Sequence, residues 1–323
     1  MEKINTIIIS RTDSIGDVVL TLPIAHVLKQ KFPGCKIIFL GKSYTKPVIE
    51  CCTSVDQIIC WDETEKLDPQ KQIDLFRSLK ADCIVHVFPN KKVAALAKQA
   101  RIPIRIGTSH RFFHWFSCNK LPNFTRKNSD LHEAQLNFEL LAPLGIENKY
   151  SLKDIQGFFD LTKIKPLNEE LKNRIDRNRF NLILHPGSKG SAQEWSIGSF
   201  SELVKLLPKD KFQIFITGTK QEGEMIRDIF SKNDNVVNLT GKLSLPELIS
   251  FIDNCDGLVA ASTGPLHIAA VLGKRAIGLF SSKRPIFPLR WAPLGPKALF
   301  IESENVSEIM PKDVAAKLLS SIQ

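Results

Sequence analysis

Short continuous apolar runs alternate through most of the chain with longer stretches whose apolar positions recur at helical spacing. The runs in the first half are 4–10, 36–41, 57–61, 81–87 and 102–107. Those in the second half are 181–185, 212–217, 235–239, 256–261 and 275–280. Each is read as a strand. Between them, Phe200, Leu203, Val204 and Leu207 fall at i, i+3, i+4 and i+7, the spacing of one buried helix face over 199–207. Residues 245–252 follow the same pattern, opened by Ser244 and Pro246 as a helix start would be. Strands that are apolar along their whole length, alternating with helices, predict parallel sheets covered on both faces. The strands split evenly around a polar segment at 151–175, so two doubly wound α/β domains are expected. The amphipathic segment 306–321 is expected to pack back across the first domain.

Sheets of this kind bind ligands outside the carboxyl ends of their strands, which directs attention to the loops there. In "HPGSKGSAQEW" (185–195), Gly187, Ser188 and Gly190 let the backbone come close to a ligand and Lys189 supplies charge. That composition suits a diphosphate, or a plain surface loop. In "STGPLHIAAVLGK" (262–274), Ser262 or Thr263 can cap a helix begun by Pro265, and Gly264 leaves the backbone uncovered. The positive helix end is then a ready anion site. His267 lies in the first turn, either aimed at the same place or packed inside. In "GTKQEGE" (218–224), Glu222 is placed either to accept hydrogen bonds from a ribose or to stabilise the first turn of a helix. The first strand is followed by "RTDSIGDVVLTLP" (11–23), which carries Gly16 and two carboxylates, Asp13 and Asp17, and no phosphate-loop fingerprint.

Composition narrows the partners. The 323 residues are 43% hydrophobic and 24% charged, with a formal net charge of +10, so an ordinary globular protein with acidic partners is expected. No nucleic-acid-binding pattern is present, and nucleic acid is not expected as a partner. No apolar run is long enough to span a bilayer, and "MEKINTIIIS" is too short for a signal peptide. Seven scattered cysteines without ligand spacing read as reduced thiols, and a cytoplasmic location is expected. No D-x-D pair occurs and no group has convincing metal spacing. His110 and His114 are four apart with no third ligand, so neither a metal nor a cofactor is expected. Segment 107–127 mixes six basic Arg, Lys and His side chains with five Phe and Trp rings. It reads as a surface for an anionic sugar or anionic lipid, or as ordinary packing under solvated charges.

Together, "RTDSIGDVVLTLP", "HPGSKGSAQEW", "TGTKQEGE", "ASTGPLHIAAVLG", "HEAQLNFELLAPLGI" (132–146) and "RWAPLG" (290–295) resemble the ADP-heptose:lipopolysaccharide heptosyltransferases, glycosyltransferase family 9. The resemblance runs from about residue 5 to 295 with the motifs in the same order. It implies the GT-B fold, two Rossmann-like doubly wound domains facing a central cleft. Residues 1–155 would bind the acceptor, 156–175 would be a linker, 176–305 would bind the nucleotide sugar, and 306–323 would hold the terminal helix. It implies an inverting, metal-independent transfer of heptose from ADP-heptose to an anionic lipopolysaccharide-core acceptor, in the cytoplasm, with peripheral contact at the inner membrane. Asp17 matches the family's general base. Gly187, Ser188, Thr263 and Gly264 match its phosphate loops, and Glu222 its ribose carboxylate. Two positions depart. Gln193 stands where the family has a diphosphate-binding lysine, which Lys189 would replace, and Ser262 stands where an aspartate holds the donor sugar, beside His267. Asp13 is read as a turn or capping residue or as an acceptor contact, and His110 and Arg111 are taken as acceptor contacts. A base at a helix start is held ionised by the helix end, so Asp17 is expected to act by position. The alternatives are a nucleotide-sugar 2-epimerase-like isomerase on the same fold and a non-catalytic nucleotide-sugar binder; a nicotinamide oxidoreductase is disfavoured because no strand is followed by G-x-G-x-x-G.

Overall fold

The computed structural model describes residues 3–127, 129–147, 149–188, 190–230 and 234–320, and the chain divides into two units, Met1–Lys163 and Ile164–Gln323. The first holds β1 (Thr6–Ser10), β2 (Lys36–Gly41), β3 (Gln57–Cys60), β4 (Cys83–His86) and β5 (Ile104–Ile106) in one parallel sheet of order β3-β2-β1-β4-β5. The second holds β6 (Phe180–His185), β7 (Phe212–Ile216), β8 (Val236–Asn238), β9 (Gly257–Ala261), β10 (Arg275–Ser281) and β11 (Leu299–Ser303), also parallel, in the order β11-β10-β9-β6-β7-β8. The ten expected strands are all present. The added edge strand β11 has Leu299, Ile301 and Ser303 half-buried and Phe300 and Glu302 exposed, so it lacks the buried apolar run of the central strands.

Both sheets follow one plan. The first strand of each unit lies in the interior, the next two build outward on one side, and the chain then crosses to the other. The order therefore reverses between β1 and β4, and again between β6 and β9. A carboxylate marks the amino edge of both junctions. Asp82, just before β4, accepts from the Asn5 and Thr6 amides at 2.7 and 2.9 Å. Asp256, just before β9, accepts from the Asn181 amide at 2.7 Å. At the opposite, carboxyl edge the loops after β1, β6 and β9 leave the sheets at the switch points, where such folds place ligands.

Four helices of the first unit carry the argument: α1 (Ile15–Val19), α2 (Lys91–Gln99), α3 (His114–Ser117) and α4 (Glu133–Phe138). Val93, Leu96 and Ala97 of α2 bury against Ile8, Ile38 and Ile84 of the sheet. In the second unit they are α5 (Ile197–Leu206), α6 (Lys220–Phe230), α7 (Leu245–Asn254), α8 (Gly264–Val271) and α9 (Pro311–Leu319). The helical period over 199–207 is realised by α5, whose Phe200, Leu203 and Val204 are buried. Helix α7 opens on a capping box, with the Ser244 amide donating to Glu247 at 2.8 Å.

The terminal helix α9 buries its apolar face within the second unit. Val314, Ala315 and Leu318 enter the core of the second, with Leu203 and Phe200 of α5, and the buried Trp195 indole donates to Ile309 O at 2.9 Å. Among the described residues, no helix is long and apolar enough to cross a membrane.

Candidate active site

At the first switch point the chain leaves β1 as Arg11-Thr12-Asp13-Ser14 and turns into α1. The Arg11 amide still continues the ladder, donating to Leu40 O at 3.0 Å, so the side chain starts from a fixed place. That side chain is 4% exposed and gathers three carboxylates. Nε donates to Asp13 at 2.7 Å, Nη1 to Glu133 at 3.0 Å, and Nη2 to Asp17. The Ser14 hydroxyl donates to the second oxygen of Asp17. Burial works against the Arg11 charge, but Asp17, Asp13 and Glu133 outweigh it and raise its pKa. Burial pushes the Asp13 carboxyl up to about 6, with Arg11 opposing and Asp17 adding to the rise. A rigid guanidinium fork suits this task, since it can hold several carboxylates at fixed angles.

Helix α4 supports the cluster from behind. Glu133 and Asn137 lie one turn apart on it, and both are buried. Arg126 donates to Glu133 at 3.1 Å and to Asn137 at 3.0 Å, with its guanidinium 5.3 Å from the Phe124 ring. The Asn137 amide donates to Leu20 O at 3.0 Å, and Thr21, just past α1, donates to Asp17 O at 2.8 Å. The carboxylate of Asp17 is thus held at the side chain and behind its own helix. It remains 17% exposed.

In the second unit the loops after β6 and β7 meet at one carboxylate. A side chain at Gly187 would place its Cβ 2.0 Å from a Glu222 oxygen, and one at Gly218 would lie 2.7 Å from the other. Only glycine at 187 admits Glu222 there. Glu222 also accepts from the Thr219 amide at 2.6 Å while its own amide donates to the Thr219 hydroxyl at 3.2 Å, so it also serves the first turn of α6. The loop after β6 is closed on itself. The Ser188 hydroxyl donates to Ala192 O at 2.9 Å, the Ser188 amide donates to Glu194 at 2.6 Å, and Gly190 takes φ +77°, where glycine is favoured. Lys189 lies outside the described residues.

At the second switch point Thr263 precedes α8, with Gly264 as its first residue. Thr263 occupies the capping position without a side-chain cap bond. Its hydroxyl oxygen is buried with no hydrogen-bond partner, an expensive condition that a ligand would relieve. His267, one turn into α8, is 2% exposed. Beside Thr263, Ser262 lines a cavity of about 230 Å³ together with Gln193 and with Lys283 and Arg284 from the loop after β10. The Gln193 side-chain carbonyl accepts from the Val306 amide at 3.0 Å.

The family model for glycosyltransferase family 9 (heptosyltransferase) matches residues 73–317. The chain belongs to glycosyltransferase family 9. It is 24% identical to lipopolysaccharide heptosyltransferase 3 of Escherichia coli K12 over 86% of this chain and 82% of that protein. The crystal structure of the family 9 glycosyl transferase from Veillonella parvula superposes with a TM-score of 0.79 at 19% identity, covering 100% of this chain and 99% of that one. The E. coli ADP-heptose lps heptosyltransferase II superposes at 0.75 and 19% identity, covering 98% of each. The architecture is that of these GT-B structures, and the chain is a glycosyltransferase.

The family 9 enzyme brings together some of the residues singled out in its sequence and leaves others apart. Asp13 and Asp17 share Arg11. Gly187 and Glu222 touch, and Gln193 and Ser262 line one cavity. His110 and Arg111 are exposed on the loop after the edge strand β5, with β4 between that strand and β1. The His110 ring is 2.9 Å from the Asn123 side chain. From the same segment it is Arg126 that reaches the Arg11 cluster. His114 does not converge with His110: it is buried, its Nδ1 2.9 Å from Thr108 O. Among the described residues, no three His, Cys, Asp or Glu side chains are grouped so as to hold a metal ion. Arg11, Glu133 and Asn137 escaped sequence reasoning as site residues. The available signal was Glu133 and Asn137 at i and i+4 on an otherwise mostly apolar helix.

Proposed function

We propose that this family 9 glycosyltransferase moves heptose from ADP-heptose to an anionic lipopolysaccharide-core acceptor in one inverting displacement, with Asp17 as the base. The observation that carries the reading is the fixed, partly exposed Asp17 at the β1 switch point, gripped by Arg11 and Ser14. In the proposed step an acceptor hydroxyl oxygen attacks the anomeric carbon and its proton passes to Asp17. The bond from that carbon to the diphosphate oxygen breaks and ADP leaves, its charge met by a helix amino end and basic side chains in place of a metal ion. Carboxylate bases of this kind contribute by position and by their readiness to take the proton. The donor half falls to the second unit. Glu222 against Gly187 suits a ribose, and the unpartnered Thr263 hydroxyl at the head of α8 suits a phosphate oxygen. The named substrates of the similar E. coli enzymes support ADP-heptose and the lipopolysaccharide acceptor.

The acceptor side is supported by charge. Residues 83–129 contain nine Lys and Arg and no Asp or Glu, nearly the whole +10 surplus of the chain. Phe112, Trp115 and Phe116 stand 77%, 63% and 62% exposed within that segment. A basic surface with exposed rings fits an anionic glycolipid and a peripheral seat on the cytoplasmic face of a membrane.

Thermal melting against ADP, UDP, GDP and CDP tests the donor. A ligand that binds the native state raises the melting temperature, and ADP is expected to raise it most. Stabilisation by UDP in preference to ADP would contradict the reading. Consumption of ADP-heptose without acceptor, giving an isomeric nucleotide sugar, would establish the isomerase instead.

A further inference from the structure

We propose that Lys283 and Arg284, on the loop after β10, bind the diphosphate of the donor; the proposal rests on the nucleotide-sugar reading of the second unit. A departing diphosphate gathers negative charge, and preorganised cations and helix amino ends must meet it. Around the switch point the described parts of the loops after β6 and β9 carry no Lys or Arg. Gln193, which stands where the resemblance places a diphosphate-binding lysine, is neutral, and its carbonyl is spent on the Val306 amide. Across the same cavity of about 230 Å³ stand two consecutive cations.

Their present contacts suit the task. The Arg284 guanidinium lies over the Phe287 ring, 4.5 Å from its centre, which fixes the plane of the fork at the cavity wall. Lys283 is 56% exposed and pairs with the similarly exposed Glu304 at 2.9 Å. Such an exposed pair is weak, so a phosphate can displace Glu304 at little cost. The buried, unpartnered Thr263 hydroxyl, next in sequence to the cavity-lining Ser262, is an independent sign of a missing acceptor or donor at the same strand end. Opposite the neutral Gln193 the cations thus come from the loop of another strand, β10, two places from β6 in the sheet.

Calorimetric titration of ADP, inorganic pyrophosphate and adenosine into the full chain tests this with Lys283→Gln, Arg284→Gln and the double variant. Each single change is expected to weaken ADP and pyrophosphate by about tenfold or more, the worth of one charge-assisted hydrogen bond, with adenosine unchanged. Gln193→Lys in the double variant is expected to restore part of the loss. Both side chains are exposed, and the ligand-free melting temperature should match wild type. Wild-type ADP affinity in the double variant would overturn the proposal while leaving the donor reading intact. Pyrophosphate binding that depends on these residues, without ADP binding by wild type, would keep them as a diphosphate site and overturn their role toward a nucleotide-sugar donor together with the donor reading. A variant that loses adenosine as severely as ADP would also overturn it, because the residues would then be supporting the fold of the site.

Discussion

Arg11 organises the first unit's site by taking three carboxylates onto one buried guanidinium, and the balance of charge there is uneven. Arg11 and Arg126 face Asp13, Asp17 and Glu133, so one negative charge is in excess. Its effect falls on Asp13, whose carboxyl rises from 3.8 to about 6, chiefly through burial. The folded state therefore holds this proton more tightly than the unfolded chain. The resulting stability is present below pH 3.8 and is lost as pH rises through 6. Asn at this position keeps an acceptor for Arg11 and cannot ionise. Asp13→Asn is expected to melt above wild type at pH 7 to 8, with the gap closing below pH 3.8; melting curves across that range check it. The choice of Asp17 over Asp13 came from the family resemblance, and its place at a strand-to-helix turn was legible in the sequence. Its grip by Arg11 was not, because the network closes through Glu133, 122 residues away. The helix end expected to set the state of Asp17 belongs to a helix of only five residues, and a guanidinium and a hydroxyl are what touch the carboxylate.

Among the elements, the central strands β1, β2, β4, β6, β7, β9 and β10 were legible because their faces are covered and their residues are mostly apolar, and the edge strands β3, β5 and β8 because their short apolar runs follow the same alternation with helices. The edge strand β11 was not, since exposed Phe300 and Glu302 interrupt its pattern. Helix α9 shows a different limit. Its amphipathic spacing announced that one face would be buried, but spacing does not name the surface that buries it. The partner is α5, joined through Leu203 and Phe200, with Trp195 tied to Ile309 just ahead of α9. Leu318 is fully buried in that contact. Leu318→Ala is expected to cost about 2–5 kcal/mol, a lost side chain plus the cavity it leaves. Urea unfolding of the full chain measures it, and a loss under about 0.5 kcal/mol would mean that α9 is only loosely attached. The capping box at Ser244 and Glu247 needed no tertiary context, which is why the start of α7 was readable to the residue.

Across the whole molecule, charge is segregated along the chain. The acid-free stretch 83–129 lies in the first unit and carries α2, α3 and the three exposed rings. Composition showed the surplus and the mixed segment 107–127, but not whether the rings were packed. His114 is buried and Phe113 half-buried, while Phe112, Trp115 and Phe116 are exposed. Sedimentation with phosphatidylglycerol vesicles is expected to bring the protein down at low salt and release it at high salt. The Phe112→Ser, Trp115→Ser, Phe116→Ser variant should bind several-fold less. Equal binding by that variant would remove the rings from the contact.

The central claim is that Asp17 takes the acceptor proton. Asp17→Asn keeps the size and acceptor oxygen that Arg11 and Ser14 hold, and removes the basicity. Heptosyl transfer from ADP-heptose to a lipopolysaccharide-core acceptor, measured beside ADP affinity, separates chemistry from binding. Turnover is expected to fall by about 10²–10⁴-fold, the usual contribution of a positioned base, with ADP affinity nearly unchanged. Near-wild-type turnover by Asp17→Asn would contradict the account.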